Sequence, residues 1–139
     1  MPDPRPFPVS DEDSAAFWEG AKRRELVIKR CGDCGYWIHY PRPFCRMCHS
    51  ENVKPTKVSG KGTVFTYSIA RQQFQPGMPP PYVVALVELP EQKGLRLTAN
   101  IHGCKPEQVY IGMPVEVTFE EREGGHVIPQ FKPAPGAVR

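Results

Sequence analysis

The sequence lacks any apolar run approaching the roughly 18 residues of a membrane-spanning helix. Its first residues, MPDPRPFPVSDED, lack the apolar middle of a signal peptide. A soluble cytoplasmic protein with no membrane partner is therefore expected. A polybasic run is also missing: 18 basic against 15 acidic side chains leave a formal charge of +3. Proteins that track a nucleic-acid backbone are more basic and more clustered, so a nucleic-acid partner is not favoured. No internal repeat is visible, and no catalytic constellation stands out. Glycine and proline together make up about 21% of the 139 residues, short of the roughly 25–30% of a low-complexity chain. An apolar share of 40% is enough for a core. A single domain of this size buries roughly two-thirds of its unfolded surface.

Proline is what the sequence has in excess. There are 17, about 12% of the chain against a usual share of about 5%. Pro2, Pro4, Pro6 and Pro8 open the chain, Pro76, Pro79, Pro80 and Pro81 share one segment, and Pro129, Pro133 and Pro135 lie near the end. Proline has no N–H and a fixed φ, so these stretches are expected to be extended or turned. The chain reads as two stiff arms and one stiff loop, with regular structure between.

Ser10 is placed to cap a helix over residues 11–24 that begins with Asp11, Glu12 and Asp13, with Asp13 at the third helical position. Phe17, Trp18 and Ala21 give that helix an apolar side. Residues 26–30 suggest a short strand leading to the cysteines. Strand-length runs follow at 63–70, 82–89, 96–101, 114–122 and, more briefly, 127–131, with at most one helical turn around 106–109. In the first of these runs alternation assigns Phe65, Tyr67 and Ile69 to the core. The run YVVALVEL at 82–89 is apolar on both faces, the mark of a strand covered on both sides. Five short strands with helix-poor connections fit a small Greek-key barrel of the OB type, making the chain mainly β. The expected layout is an N-terminal arm and helix over 1–25, a cysteine-bearing unit over 26–55, the barrel over 56–132 and a tail over 133–139.

Four of the five cysteines form two C-x-x-C pairs, Cys31/Cys34 and Cys45/Cys48, separated by ten residues. Each pair can wrap a tight turn whose N–H groups face the sulfurs, and two facing turns supply four thiolates in a tetrahedron. That set suits zinc far better than a rubredoxin-like iron. Gly35 and His49 follow the two turns, where a left-handed backbone is expected. Four thiolates leave no open coordination position, which makes the metal structural and lets it substitute for a core too small to form alone. Disulfides would need an oxidising compartment, and a redox pair would need only one such motif. His39 or His49 could replace a cysteine as ligand. Cys104 is unpaired and reads as a small buried hydrophobe.

The runs FWEG at 17–20, RCGDCG, PRPFCRMC, SGKGTVFTYSIA, PPYVVALVEL and IGMPVEVTFEE together resemble the acyl-CoA-associated zinc-ribbon/OB-fold family, long catalogued as a domain of unknown function. The resemblance covers about residues 10–133. It implies an N-terminal helix, a rubredoxin-like zinc ribbon and an OB-fold, with Cys31, Cys34, Cys45 and Cys48 as zinc ligands. It also implies a non-catalytic partner of a thiolase-superfamily enzyme. Archaeal acetoacetyl-CoA thiolase assemblies and lipid-transfer-protein-like aldolases that shorten steroid side chains are examples, and the latter can be fused to a hot-dog hydratase. The second turn departs from the family's usual C-P-x-C-G by reading C-R-M-C-H.

The leading expectation is thus an accessory subunit of an acyl-CoA enzyme that makes or breaks C–C bonds, with the CoA thioester at or near the shared site. Met78 in the proline loop is a candidate contact, and at least one arm is expected to dock on another chain. Trimming 1–9 or 132–139 should then weaken assembly without unfolding the barrel. A stand-alone acyl-CoA binder or thioesterase would use Lys61, Arg71, Arg96 and Lys105 against the CoA phosphates. A single-strand binder would stack bases on Phe65, Tyr67 or Tyr82 beside Lys61 and Arg71.

Overall fold

Asp11 and Ser14, not Ser10, set the start of the N-terminal helix. In the computed structural model, which describes residue 5 and residues 8–138, the Ser14 N–H donates to Asp11 Oδ1 at 2.8 Å and the Asp11 N–H to Ser14 Oγ at 3.1 Å. This reciprocal pair caps the first turn, and the Ser14 N–H holds the Asp11 carboxyl below the usual carboxylate range. Helix α1 then runs Ala15–Lys22. Asp13 faces Lys29 Nζ at 3.9 Å instead of capping. Phe17 packs on the main core, and α1 lies against the first and last strands of the chain.

Strands β1 (Val27–Cys31), β2 (Trp37–Ile38) and β3 (Val53–Lys57) form a small antiparallel sheet in the order β2–β1–β3. Only the first has a visible sequence pattern. β3 reads VKPTK, and its Pro55 is tolerated because an edge strand needs partners on one side only.

The five expected barrel strands are all present, as β4 (Lys61–Ala70), β5 (Tyr82–Glu88), β6 (Arg96–Asn100), β7 (Pro114–Arg122) and β8 (His126–Pro133). They form one antiparallel sheet in the order β6–β5–β4–β7–β8, curled into a nearly closed OB-type barrel. Gly62 permits the tight β4–β5 approach, since a Cβ there would lie 2.5 Å from Val87 Cγ1. Closure falls between β6 and β8. A parallel bridge joins Ile101 to Phe131, the His102 N–H donates to the Phe131 carbonyl at 2.8 Å, and the Asn100 N–H donates to Gln130 Oε1 at 2.7 Å. Gln130 is buried there, its amide standing in for a ladder bond that two edge strands do not make with each other.

Three expectations are corrected. First, a bulge between Val64 and Thr66 reverses the inward parity of β4. Gly62 and Val64 face in before it and Tyr67 and Ile69 after it, so Phe65 is 44% exposed instead of core. Second, β5 is buried only at Val83, Ala85 and Val87; on its outer face Val84 is 38% exposed. Third, the stretch after residue 131 is not a solvated arm. β8 continues to Pro133, Ala137 is buried in the core, and the Tyr110 hydroxyl donates to the Ala137 carbonyl at 2.6 Å. That packing argues against the expectation that trimming 132–139 spares the barrel. At the other end, Pro2, Pro4 and Pro6 lie outside the described residues. Arg5 pairs with Glu120 at 2.7 Å, and its carbonyl accepts from Arg122.

Candidate metal centre and its surroundings

Cys31 ends β1, and Cys34 follows within the turn that β1 enters. Cys45 and Cys48 sit on a second turn in the segment between β2 and β3. The two turns are built alike. The Gly35 N–H donates to the Cys31 carbonyl at 3.0 Å and the His49 N–H to the Cys45 carbonyl at 2.8 Å. Gly35 (φ 80°) and His49 (φ 64°) supply the left-handed residue each turn requires. Backbone N–H groups then reach the sulfurs, Cys34 N to Cys31 Sγ at 3.5 Å and Met47 N to Cys45 Sγ at 3.4 Å.

The four sulfurs lie within 4.8 Å of one another, with Cys31–Cys48 at 3.6 Å and Cys34–Cys45 at 3.5 Å. A tetrahedral zinc with Zn–S bonds of about 2.3 Å places its sulfurs about 3.8 Å apart. The arrangement fits such an ion, and the separations are far beyond the roughly 2.05 Å of a disulfide. Cys31 and Cys45 are buried, whereas Cys34 and Cys48 are at the surface. The Cys34 N–H, opposed by burial, holds the Cys31 thiol down to about 6. At Cys34 the Tyr36 N–H pulls downward, but burial and the neighbouring thiols prevail and push it up to about 12. Crowded thiols without a cation among them cannot all ionise, and a divalent ion removes that conflict.

Three residues that carry no metal-binding pattern brace the turns. Asp33 accepts from the Ser50 hydroxyl and from Asn52 Nδ2, and the Gly32 N–H donates to the Asn52 carbonyl at 2.7 Å. Gln92, in the β5–β6 connection, fastens the small sheet to the barrel. Its side chain accepts from the Trp37 N–H at 2.9 Å and donates to the Trp37 carbonyl at 3.0 Å, pairing with the free edge of β2. The Arg30 guanidinium lies over the Trp37 ring, 4.7 Å from its centre.

The cations considered for CoA phosphates do not converge. Lys61 and Arg96 lie at one end of the sheet, since Thr63, Glu88 and Arg96 share one register row. Arg71 follows the opposite end of β4, and Lys105 lies in the β6–β7 connection; both are exposed. Arg96 is engaged by Glu88 at 3.2 Å and lies 3.6 Å over the Phe65 ring. That contact occupies the aromatic face a stacked base would need. Met78 is half-buried and accepts from Gln75 Nε2 at 2.8 Å. Cys104 packs against the main core, where burial raises its thiol above the ordinary range.

His39 lies outside the metal cluster. Its ring is tilted between Phe17 (5.8 Å) and Tyr40 (4.3 Å), and burial pulls it down to about 4 from an ordinary 6.5. Arg42 and Arg46 line a cavity that His39 also borders, and neither favours an imidazolium. The unfolded chain therefore binds a proton between pH 6.5 and 4 that the folded chain refuses, so stability falls as pH drops through that window. The expected loss at His39 is up to about 3 kcal/mol. Urea unfolding at pH 7 and pH 4.5 checks it: His39→Phe should lose distinctly less stability over that interval than the parent.

Comparison with known proteins joins the two halves of this geometry. Residues 18–54 match the ChsH2 rubredoxin-like zinc ribbon domain and residues 56–120 the ChsH2 C-terminal OB-fold domain. A DUF35 domain-containing scaffold protein of Methanocaldococcus jannaschii is 40% identical over 117 residues, 80% of this chain and 79% of its own. The chain belongs to the DUF35 family. Its four cysteines accordingly make up a structural zinc ribbon. A probable enoyl-CoA hydratase alpha subunit of Thermomonospora curvata is 41% identical over 130 residues, 94% of this chain and 40% of the relative. A 3-oxo-4,17-pregnadiene-20-carboxyl-CoA hydratase alpha subunit of Mycobacterium tuberculosis is 40% identical over 118 residues, 85% of this chain and 37% of the relative. The chain thus spans about two-fifths of the length of these two hydratase subunits. A solved chain of an Ltp2-ChsH2(DUF35) aldolase superimposes with a TM-score of 0.83 at 40% identity, covering 91% of this chain and 98% of that one. No described helix is long and apolar enough to cross a membrane.

Proposed function

We propose that this DUF35 protein is a non-catalytic accessory subunit of a thiolase-superfamily enzyme that makes or breaks C–C bonds in CoA thioesters, as in a thiolase or a steroid side-chain aldolase. The observation that carries this reading is the superposition on the aldolase chain, which covers nearly all of both chains at 40% identity. The two hydratase relatives also act, by their names, on CoA thioesters. Cys31, Cys34, Cys45 and Cys48 hold the zinc. Four thiolates close its coordination, so the metal shapes the subunit and takes no substrate. The scattered positions of Lys61, Arg71, Arg96 and Lys105 favour CoA binding mainly by the partner.

The test is reconstitution with the thiolase-like or lipid-transfer-protein-like protein encoded beside this gene. The two proteins should co-elute, and C–C cleavage or formation on a CoA thioester should require the partner. Thioester turnover by this chain alone would overturn the proposal, as would a monodisperse monomer indifferent to that neighbour.

A further inference from the structure

The run from Tyr36 to Arg46, which carries β2 and leads into the second cysteine turn, lines by itself a cavity of about 400 Å³. Tyr36, Tyr40 and Phe44 contribute aromatic walls, Arg42 and Arg46 contribute charge, and no acidic side chain lines it. Both arginines are exposed, and neither guanidinium has a hydrogen-bond or ion-pair partner among the described residues. Other cations of the small sheet are engaged: Lys29 faces Asp13 at 3.9 Å, and Arg30 Nε donates to the Gly35 carbonyl at 3.0 Å. From β1 through β3, residues 27–57, six basic side chains stand against two acidic ones, whereas the rest of the chain has 12 against 13. Apolar exposure gathers here too. Tyr40 (61%), Phe44 (46%) and Met47 (61%) are three of the nine large apolar side chains exposed among the described residues, and they fall within one run of eight.

We infer that this cavity is the docking point for an acidic segment of the partner subunit, whose carboxylates pair with Arg42 and Arg46 while an apolar side chain enters beside Tyr40 and Phe44. The inference rests on the accessory role proposed above. Arginine's planar fork matches a carboxylate, and two such forks with no acid beside them leave the cavity complementary to negative charge. Aromatic residues, methionine and arginine are also the types enriched where proteins meet. A site that tracks a nucleic-acid backbone makes about 6–10 phosphate contacts, and two arginines in one concavity form no such track. The run is held before any partner arrives. Tyr40 is fixed by its hydroxyl contact with Thr98 Oγ1 at 3.0 Å and by the His39 ring 4.3 Å away. Pro41 and Pro43 restrict the backbone on either side of Arg42, and Phe44 and Arg46 flank the zinc ligand Cys45. A surface already rigid gives up little freedom on binding.

The test uses the full zinc-loaded chain and the thiolase-like or lipid-transfer-protein-like protein encoded beside its gene, with affinity read by titration calorimetry at low and high NaCl. Arg42→Glu/Arg46→Glu should lose at least about a hundredfold in affinity at low salt, because like charges then face each other across the contact. Arg42→Lys/Arg46→Lys, which keeps the charge and loses the fork, should lose about tenfold. Lys57→Glu, on the edge strand opposite β2, should lose less than about threefold. Added NaCl should weaken the parent complex far more than that of the double glutamate variant. Zinc content and thermal midpoint of these variants should match the parent's, which separates docking from folding. If the parent binds and the double glutamate variant binds equally well, the cavity is not the docking point. An equal loss from Lys57→Glu would overturn the inference too, since overall charge and not the cavity would then govern binding. Salt-dependent capture of a single-stranded oligonucleotide that only the double glutamate variant loses would assign the cavity to a nucleic acid instead. A parent chain that forms no complex at all defeats the accessory role itself, and this inference with it.

Discussion

Cys45→Ser is expected to abolish zinc binding and to lower the thermal midpoint by at least about 10 °C, because roughly 3 kcal/mol suffices for that in a domain of this size. Structural zinc sites contribute far more, with apparent binding free energies of about 10–16 kcal/mol. Cys45 is fully buried, and the ribbon's own apolar cluster is small: Cys31, Ile38 and Cys45, with Tyr36 and Val53 against them. Nothing in that cluster can replace the ion. Damage should also spread, because Leu26, Ile28 and Trp37 belong to the same core as Val64, Val87 and Phe131 of the barrel. Circular dichroism of the variant should therefore show one broad, lowered melt and not two separate transitions. Metal content by mass spectrometry and a Cys104→Ser comparison complete the measurement. Cys104 lies outside the cluster, so its variant should keep its zinc. Retention of full metal by Cys45→Ser would disprove the ligand assignment.

The pH dependence of this site has a definite sign. Zinc holds four thiolates, so every proton that returns to a sulfur competes with it, and affinity falls as pH falls. A chelator titration at pH 8 and pH 6 should show easier zinc removal at the lower value.

What the sequence discloses here is whatever repeats or is spaced. The two C-x-x-C turns, with Gly35 and His49 just behind them, carry their geometry in their spacing. Alternation placed the five barrel strands to within a few residues. Single events are less visible. The bulge at Val64–Thr66 reverses parity within β4, and nothing in TVFTYSIA marks where the count should slip. Gln92 and Gln130 each mend a strand edge through one side-chain amide. A lone glutamine far from its partner in sequence carries no period to detect. β3 hides behind Pro55, which excludes an interior strand but not an edge. The apolar cleft that His39 shares with Phe17, Leu97 and Ile128 depends on residues from positions 14 to 129 meeting in space, which no local pattern records.

Proline-rich ends invite the idea of free arms, and the C-terminal one decides a second large effect. Phe131 has no exposed surface, pairs with Val117 across β7–β8 and bridges to Ile101 where the barrel closes. Phe131→Ala is expected to cost about 3–5 kcal/mol, the usual range for deleting a buried phenyl ring. Against a typical domain stability of about 5–15 kcal/mol, that leaves a substantial unfolded fraction under mild urea. Truncation after residue 131 tests the same seam from outside. It removes the pairing of Lys132 and Pro133 with Glu116 and Val115, the Ala134 N–H donated to the Pro114 carbonyl, and the buried Ala137 that receives the Tyr110 hydroxyl. Both variants should unfold at lower urea with little change in slope, because the native fold is weakened and not expanded. A docking arm would behave differently, leaving the isolated chain as stable as before and weakening only its complex. If the truncated chain unfolds at the parent's midpoint, residues 132–138 are not part of the barrel's support, and their role lies with another molecule.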